Sequence, residues 1–293
     1  MGYMHIDNLY KNKDILLFKE CYALEKIHGT SAHISWSKTD GLKFFAGGAN
    51  HEQFIQIFGE LLLGAKFSQM DIEQVTIYGE AYGGKLQGMS KTYGKDLRFV
   101  AFDVKIGDNW LEVPNAESLV RGLGLDFVHY TRTLTDLPAL DALRDAPSEQ
   151  ARRLGLEDQK AEGVVLRPLM ELVKKNGGRI IAKYKRDDFM ETKTPRSVDA
   201  DRLAVMQKAE EIAAEWVTPM RLVHVMDFLA SAAARGGLPF SHDVKDTGLV
   251  IREMQEDILR ESKGELEWSK DAERAVGTAT AKIYKQKVKE IVQ

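Results

Sequence analysis

Residues 20–36 read ECYALEKIHGTSAHISW, and the fold turns on how that stretch divides. Residues 20–28 and 31–36 are rich in β-formers with partial alternation, which predicts two strands. Gly29 permits a tight turn between them. Lys26 then ends the first strand, its amine held at a strand edge facing a cleft. A nucleophilic lysine needs that amine deprotonated, and burial and nearby cations lower an ammonium pKa in that direction. A lysine three residues before a glycine is, by itself, usually an exposed strand residue. The case therefore rests on its surroundings.

Outward from this hairpin, residues 75–82 (VTIYGEAY), 97–106 (LRFVAFDVKI), 163–167 (GVVLR) and 179–185 (RIIAKYK) also read as strands. Helical patterns fall at about 51–65 and 136–155. Strands and helices do not alternate one for one, which favours α+β with largely antiparallel sheets over a doubly wound fold. Near residue 196 the texture becomes helical: Leu203, Met206, Ala209, Ile212, Ala213 and Trp216 recur at three and four residues. Thr218 and Pro219 read as an N-cap and first-turn proline, Gly236 and Gly237 as a stop, and further helices are expected at 247–262 and 267–292. The expected domains are 1–195 and 196–293, meeting near Pro195.

Four further segments carry chemistry. Glu80 sits among apolar and glycine neighbours in Ile77-Tyr78-Gly79-Glu80-Ala81-Tyr82-Gly83-Gly84, where a carboxylate is costly unless paired or bound to a cation. Phe102 offers an aromatic face to a base, although a strand phenylalanine is ordinarily core, and Asp103 follows it in a strongly apolar run. Glu162 opens the apolar strand Gly163-Val164-Val165-Leu166-Arg167-Pro168, a plausible station for Mg²⁺, which takes oxygen donors. Lys183 and Lys185 share one strand face, and two like charges side by side make best sense opposite an anion such as phosphate. In chain order these are a lysine, a carboxylate, an aromatic strand, a carboxylate and paired lysines. Attack on the α-phosphorus of a nucleotide, with pyrophosphate leaving, calls for such a set.

The strings EKIHGT, YGEAYGG, FVAFDV, EGVVLRP and IAKYK resemble, in order, the motifs of the covalent nucleotidyltransferase superfamily of ATP-dependent DNA ligases, RNA ligases and mRNA capping enzymes. They span about residues 24–186. The His28-Gly29 pair and the opening IDNLYKNKDILLF are most similar to the RNA ligase 2 family. DNA ligases and capping enzymes usually have Asp-Gly at the former. The resemblance implies an adenylyltransferase (nucleotidyltransferase, ATP-grasp-like ligase) domain followed by a small all-helical domain. It implies that Lys26 forms a lysyl-AMP, that Glu25 and the Ile27 backbone contact adenine, and that Phe102 stacks on it. Glu80 would hold the ribose or a metal-bound water, Glu162 the divalent metal (Mg²⁺ or Mn²⁺), and Lys183 and Lys185 the α-phosphate. ATP would be the AMP donor. RNA with 5′-phosphate and 3′-OH ends, in a nicked or bridged duplex, would be the partner. Ser31 stands where the family often has Asn, with shorter reach toward a phosphate. Phe45-Ala46-Gly47-Gly48-Ala49 stands where it tends to place an arginine. A helical tail without β-rich sequence argues against the downstream OB-fold of DNA ligases and capping enzymes. Two other readings are a DNA-nick or capping-type transferase, and a nucleotide- or RNA-binding module that has lost turnover.

Composition narrows the context. The chain has 293 residues, 44% hydrophobic and 29% charged, with net charge -3, so any nucleic-acid footprint must be local. Residues 167–196 hold nine Lys and Arg against four acids, a local excess suited to phosphate contact. The one cysteine, Cys21, excludes an internal disulfide and reads as a half-buried strand residue. No signal-like or membrane-spanning run is evident, and a cytoplasmic, soluble protein with no obligatory protein partner is the expectation. Trp216 and Trp268 could stack on bases, but core packing is the better reading.

Overall fold

The computed structural model describes residues 2–194, residue 198, and residues 208–234 and 236–292. The chain divides into two compact units, Met1–Arg186 and Asp187–Gln293. Pro195 and Arg196, at the expected boundary, lie outside the described residues, as do Leu203 and Met206.

The first unit is α+β and is built on two antiparallel sheets. Its strands are β1 (Glu20–Lys26), β2 (Thr30–Ser37), β3 (Gly41–Phe45), β4 (Gln74–Tyr82), β5 (Arg98–Ile106), β6 (Asn109–Trp110), β7 (Tyr130–Leu134), β8 (Gly163–Pro168) and β9 (Ala182–Lys185). One sheet runs β7-β1-β8-β9 and the other β3-β2-β4-β5-β6. The chain crosses from the first sheet to the second between Lys26 and Thr30, so the four-residue step read as a hairpin turn is instead a bridge between sheets. Gly29 is needed there for close approach: a Cβ would lie 2.3 Å from the Ala81 carbonyl oxygen. One continuous core packs Leu24 and Ile27 with Ile34, Ile77 and Val100 of the other sheet and with Phe54 and Phe67 of the helices that cover it. Each such side chain contributes about 1.5–3 kcal/mol on burial.

The expected helix at 51–65 is two, His51–Gln56 and Glu60–Ser68, with Gly59 between them as the second one's N-cap residue. The expected 136–155 helix also splits, into Leu137–Arg144 and Glu149–Arg153. Pro147 falls between them, and a proline interrupts helical hydrogen bonding. Helix Val113–Gly122 was not legible because its buried residues are only Val113, Ala116 and Val120.

The second unit is helical among its described residues: Ala209–Trp216, Pro219–Ala234, Thr247–Glu261 and Lys270–Val292. Thr218 Oγ1 accepts from the Arg221 N–H at 3.2 Å, the expected cap. Trp216 is fully buried in this unit's own core and Trp268 packs against it, so both are structural.

Candidate nucleotide site

The register of the first sheet sets the site. Lys26 of β1 lies opposite Gly163 of β8, which lies opposite Lys185 of β9. The two lysines therefore flank Glu162, the residue that leads into β8. Gly163 adopts φ 146°, and a Cβ there would sit 2.2 Å from the Tyr184 carbonyl oxygen, so no other residue fits the row. In the second sheet Ser31 is opposite Glu80, and Glu80 opposite Val100.

Glu162 gathers three groups. Lys26 Nζ donates to Oε2 at 3.0 Å, His28 Nδ1 lies 3.2 Å from the same oxygen, and Lys185 Nζ meets Oε1 at 2.7 Å. Burial works against ionisation of Glu162. The Lys185 and Lys26 charges and the His28 hydrogen bond overcome it and hold the carboxyl well below the usual carboxylate range. Glu80 behaves oppositely. Burial pushes it up to about 8, with Lys26 pulling it down, Glu162 adding to the rise, and the Gly29 N–H favouring the charged form. Two neighbouring carboxyls are thus shifted in opposite directions, one lowered by the cations around it and one raised by burial.

A cavity of about 280 Å³ opens over this row. Lys26, Glu25, Ile27, Ser31, Glu80, Phe102 and Lys183 line it, with Val100, Val128 and Val165 as apolar walls. Lys185 and Glu162 lie behind Lys26 and touch the cavity only through it. Lys26 keeps 24% of its side chain exposed, against 2% for Glu162 and Lys185. The carboxylate of Glu25 is engaged on the inner side: it accepts from Ser148 Oγ at 2.5 Å and from the Gln150 N–H at 3.0 Å, at the start of helix Glu149–Arg153. Burial raises its pKa against those two bonds.

Sequence reading missed or misplaced four residues of this region. His28 served only as a marker of the string, yet it bonds the shared carboxylate. Tyr3 faces the cavity together with the next three residues, far along the chain from Phe102 and Lys183. Arg167 and Arg179 were counted toward an exposed basic excess, and this is corrected. They are 1% and 4% exposed, and they neutralise the buried Asp103 and Glu171 through contacts of 2.9 Å (Arg167 Nη1 to Asp103 Oδ1) and 2.6 Å (Arg179 Nη1 to Asp103 Oδ2). Lys185 is likewise buried and Lys174 pairs with Asp14, so this stretch presents far less free charge than its composition suggests. Arg196 lies outside the described residues. Cys21 is fully buried and burial pushes its thiol up to about 12, which makes it inert.

Among the described residues, no three His, Cys, Asp or Glu side chains form a metal cluster. A Mg²⁺-type ion does not require one, since it commonly uses one or two carboxylates together with waters and substrate phosphates. Glu162 supplies such a carboxylate, at oxygens that Lys26, His28 and Lys185 occupy, while Glu80, raised to about 8, suits a metal-bound water better than the ion itself.

A lysine backed by a second lysine, two carboxyls and an apolar cavity with an aromatic wall is an arrangement suited to a polyanion bearing a flat ring. Residues 19–185, more than half of the chain, match the RNA ligase family, and the protein belongs to that family. Among solved structures, a Naegleria gruberi RNA ligase with pyrophosphate is similar at 16% identity, covering 64% of this chain and 57% of that one, with a TM-score of 0.48. A variant of the Naegleria gruberi enzyme with AMP and Mn gives a TM-score of 0.49 at the same identity and coverage. The chain thus spans well under two thirds of these relatives' length. No curated protein sequence matches it. No helix among the described residues is long and apolar enough to cross a membrane.

Proposed function

We propose that the protein is an ATP-dependent RNA ligase that carries AMP on Lys26. The observation that carries this reading is the half-open Lys26 amine at the cavity wall, with Lys185 and Glu162 buried directly behind it. In the first step Lys26 Nζ attacks the α-phosphorus of ATP. A P–N bond forms, the bond to the bridging oxygen breaks, and pyrophosphate leaves with that electron pair. The amine's proton is lost to solvent or to the leaving group. Phe102 stacks on adenine, and the Glu25 and Ile27 positions contact its edge. Lys183 and Lys185 offset charge on the α-phosphate, as preorganised cations do in a water-poor site. Protonated Glu80 is suited to a hydrogen bond with a ribose hydroxyl, or to a metal-bound water. A divalent ion, Mg²⁺ or Mn²⁺, held by Glu162 would supply charge neutralisation to the phosphates.

AMP then passes to a 5′-phosphate RNA end, giving a 5′–5′ pyrophosphate linkage. A 3′-OH attacks it, seals the strand and releases AMP. We assign this chemistry to an adenylyltransferase domain over residues 1–195 and a supporting role to a helical domain over 196–293. A nicked or bridged duplex, where the two ends lie side by side, is the substrate class. The test is sealing of a nicked RNA duplex with ATP and Mg²⁺. Joining of a 5′-phosphate strand and none of a 5′-hydroxyl strand is expected. No joining by an enzyme that does form a lysine adduct would reject the RNA substrate while leaving the first step standing.

A further inference from the structure

Tyr3 is an aromatic residue of the cavity that the proposed function does not use. Residues 3–6 line the cavity alongside Phe102. Their path is tied down at β9, where the Lys183 N–H donates to the Asp7 carbonyl at 2.9 Å and the Leu9 N–H to the Lys183 carbonyl at 2.8 Å. From there the Tyr3 ring meets Phe102 edge-on, with centroids 4.9 Å apart and planes at 76°. Tyr78 and Trp110 hold the same ring from other sides, at 5.1 and 5.7 Å. Its hydroxyl donates to Asp103 Oδ2 at 2.7 Å and accepts from Arg179 Nη1 at 3.2 Å. Tyr3 therefore grips two consecutive residues of β5: Phe102, which faces the cavity, and Asp103, which faces the buried ion cluster.

We infer that Tyr3 is a positioning residue for the nucleotide base: it fixes the plane of the Phe102 ring and closes that wall of the cavity. This rests on the reading of the cavity as an adenine-nucleotide site. A stacking ring acts best when its orientation is set before the base arrives, because the cost of ordering it is then already met in the free protein. Edge-to-face pairs supply that orientation. The ring does the positioning, and the hydroxyl anchors the ring, so the two contributions separate by substitution. Tyr3→Phe keeps the edge-on contact, and Asp103 keeps both arginines. Tyr3→Ala loses the contact and opens the wall.

The experiment is single-turnover lysine adenylylation in the full-length protein over a range of ATP concentrations, the half-saturating ATP concentration serving as KM and the limiting rate as kcat, with wild type, Tyr3→Ala and Tyr3→Phe, each checked for its melting temperature. The expected result is a KM for ATP raised about five- to tenfold in Tyr3→Ala. Its kcat should stay within about twofold, and Tyr3→Phe should restore KM. A wild-type KM in Tyr3→Ala overturns the inference while leaving the ligase reading intact. So does a parallel loss of kcat and melting temperature with KM unchanged. A wild-type protein that forms no adduct overturns both.

Discussion

The first unit holds two buried ion clusters made from the same kinds of residue, and their balance differs. At Asp103 and Glu171, two carboxylates meet two guanidiniums, and charge closes to neutrality. Arg167 Nε donates to Glu171 at 2.8 Å, Arg179 Nε donates to the other oxygen of Glu171 at 3.0 Å, and Arg167 also bonds the Leu111 carbonyl at 2.6 Å. Every member is sealed from solvent or nearly so. At Glu162, one carboxylate faces two ammonium groups and a histidine, the neighbouring Glu80 is pushed up by burial, and one cation reaches the cavity. The first arrangement fastens β5 of one sheet to β8 of the other. The second sets two ammonium groups and a histidine against one ionised carboxylate beside the cavity. A balanced buried cluster serves as a fastening, and we propose that the unbalanced one at the cavity wall is the site.

Removing charge from each cluster should have different consequences. Glu162→Gln, which keeps the shape but removes the shared anion, is expected to lower lysine adenylylation by about 10²- to 10³-fold, a loss of the size seen when a preorganised charge partner is removed. Quenched-flow rates would show it, and a loss under about fivefold would mean the cluster is not functional. Arg179→Met breaks the balanced cluster. It leaves Asp103 and Glu171 sharing Arg167, and breaking a buried pair costs about 3–5 kcal/mol, on the order of 10 °C in melting temperature for a unit of this size. An unchanged melting curve would break the contrast from that side.

Lys185→Met is the matching change in the unbalanced cluster. Glu162 keeps Lys26 and His28, so the melting temperature should move by only about 2–4 °C, while adenylylation falls about 30- to 100-fold. A melting loss as large as that of Arg179→Met would erase the distinction drawn here. The smallest effect concerns Glu80, whose folded pKa of about 8 lies above the ordinary 4.5. The folded protein then holds a proton that the unfolded chain releases first. The stability this contributes is fully present below about 4.5 and is lost as pH rises through about 8. Glu80→Gln has no such proton. Its urea midpoint should exceed that of wild type by more at about pH 9 than at about pH 5. The same difference at both values would contradict the burial argument.

Much of this site was legible because its members sit at strand ends within short strings. Lys26, Glu80, Glu162 and Lys185 could each be read from a charge placed in an apolar run. What could not be read was who pairs with whom. Arg179 and Asp103 are 76 positions apart in the chain, Tyr3 and Asp103 a hundred, and nothing local to Arg167 or Arg179 distinguishes a buried arginine from a surface one. The helical unit was legible where apolar spacing ran long, as at Thr247–Glu261. Helix was less legible in the short helices of the first unit, which bury only one to three side chains each, so that two expected helices proved to be split and Val113–Gly122 was missed. The step from Lys26 to Thr30 shows the same limit: the glycine was evident, but the sheet-to-sheet crossing it permits depends on strands far along the chain.

We propose that the Lys26, Glu162 and Lys185 cluster positions Lys26 as the nucleophile toward ATP. Intact-protein mass after incubation with ATP and Mg²⁺ tests it most directly, with Lys26→Ala run alongside and prior adenylylation ruled out on the purified protein. The account predicts one added AMP on the wild-type chain and none on Lys26→Ala. An adduct that persists in Lys26→Ala, or a folded wild-type protein that gains none, would contradict it.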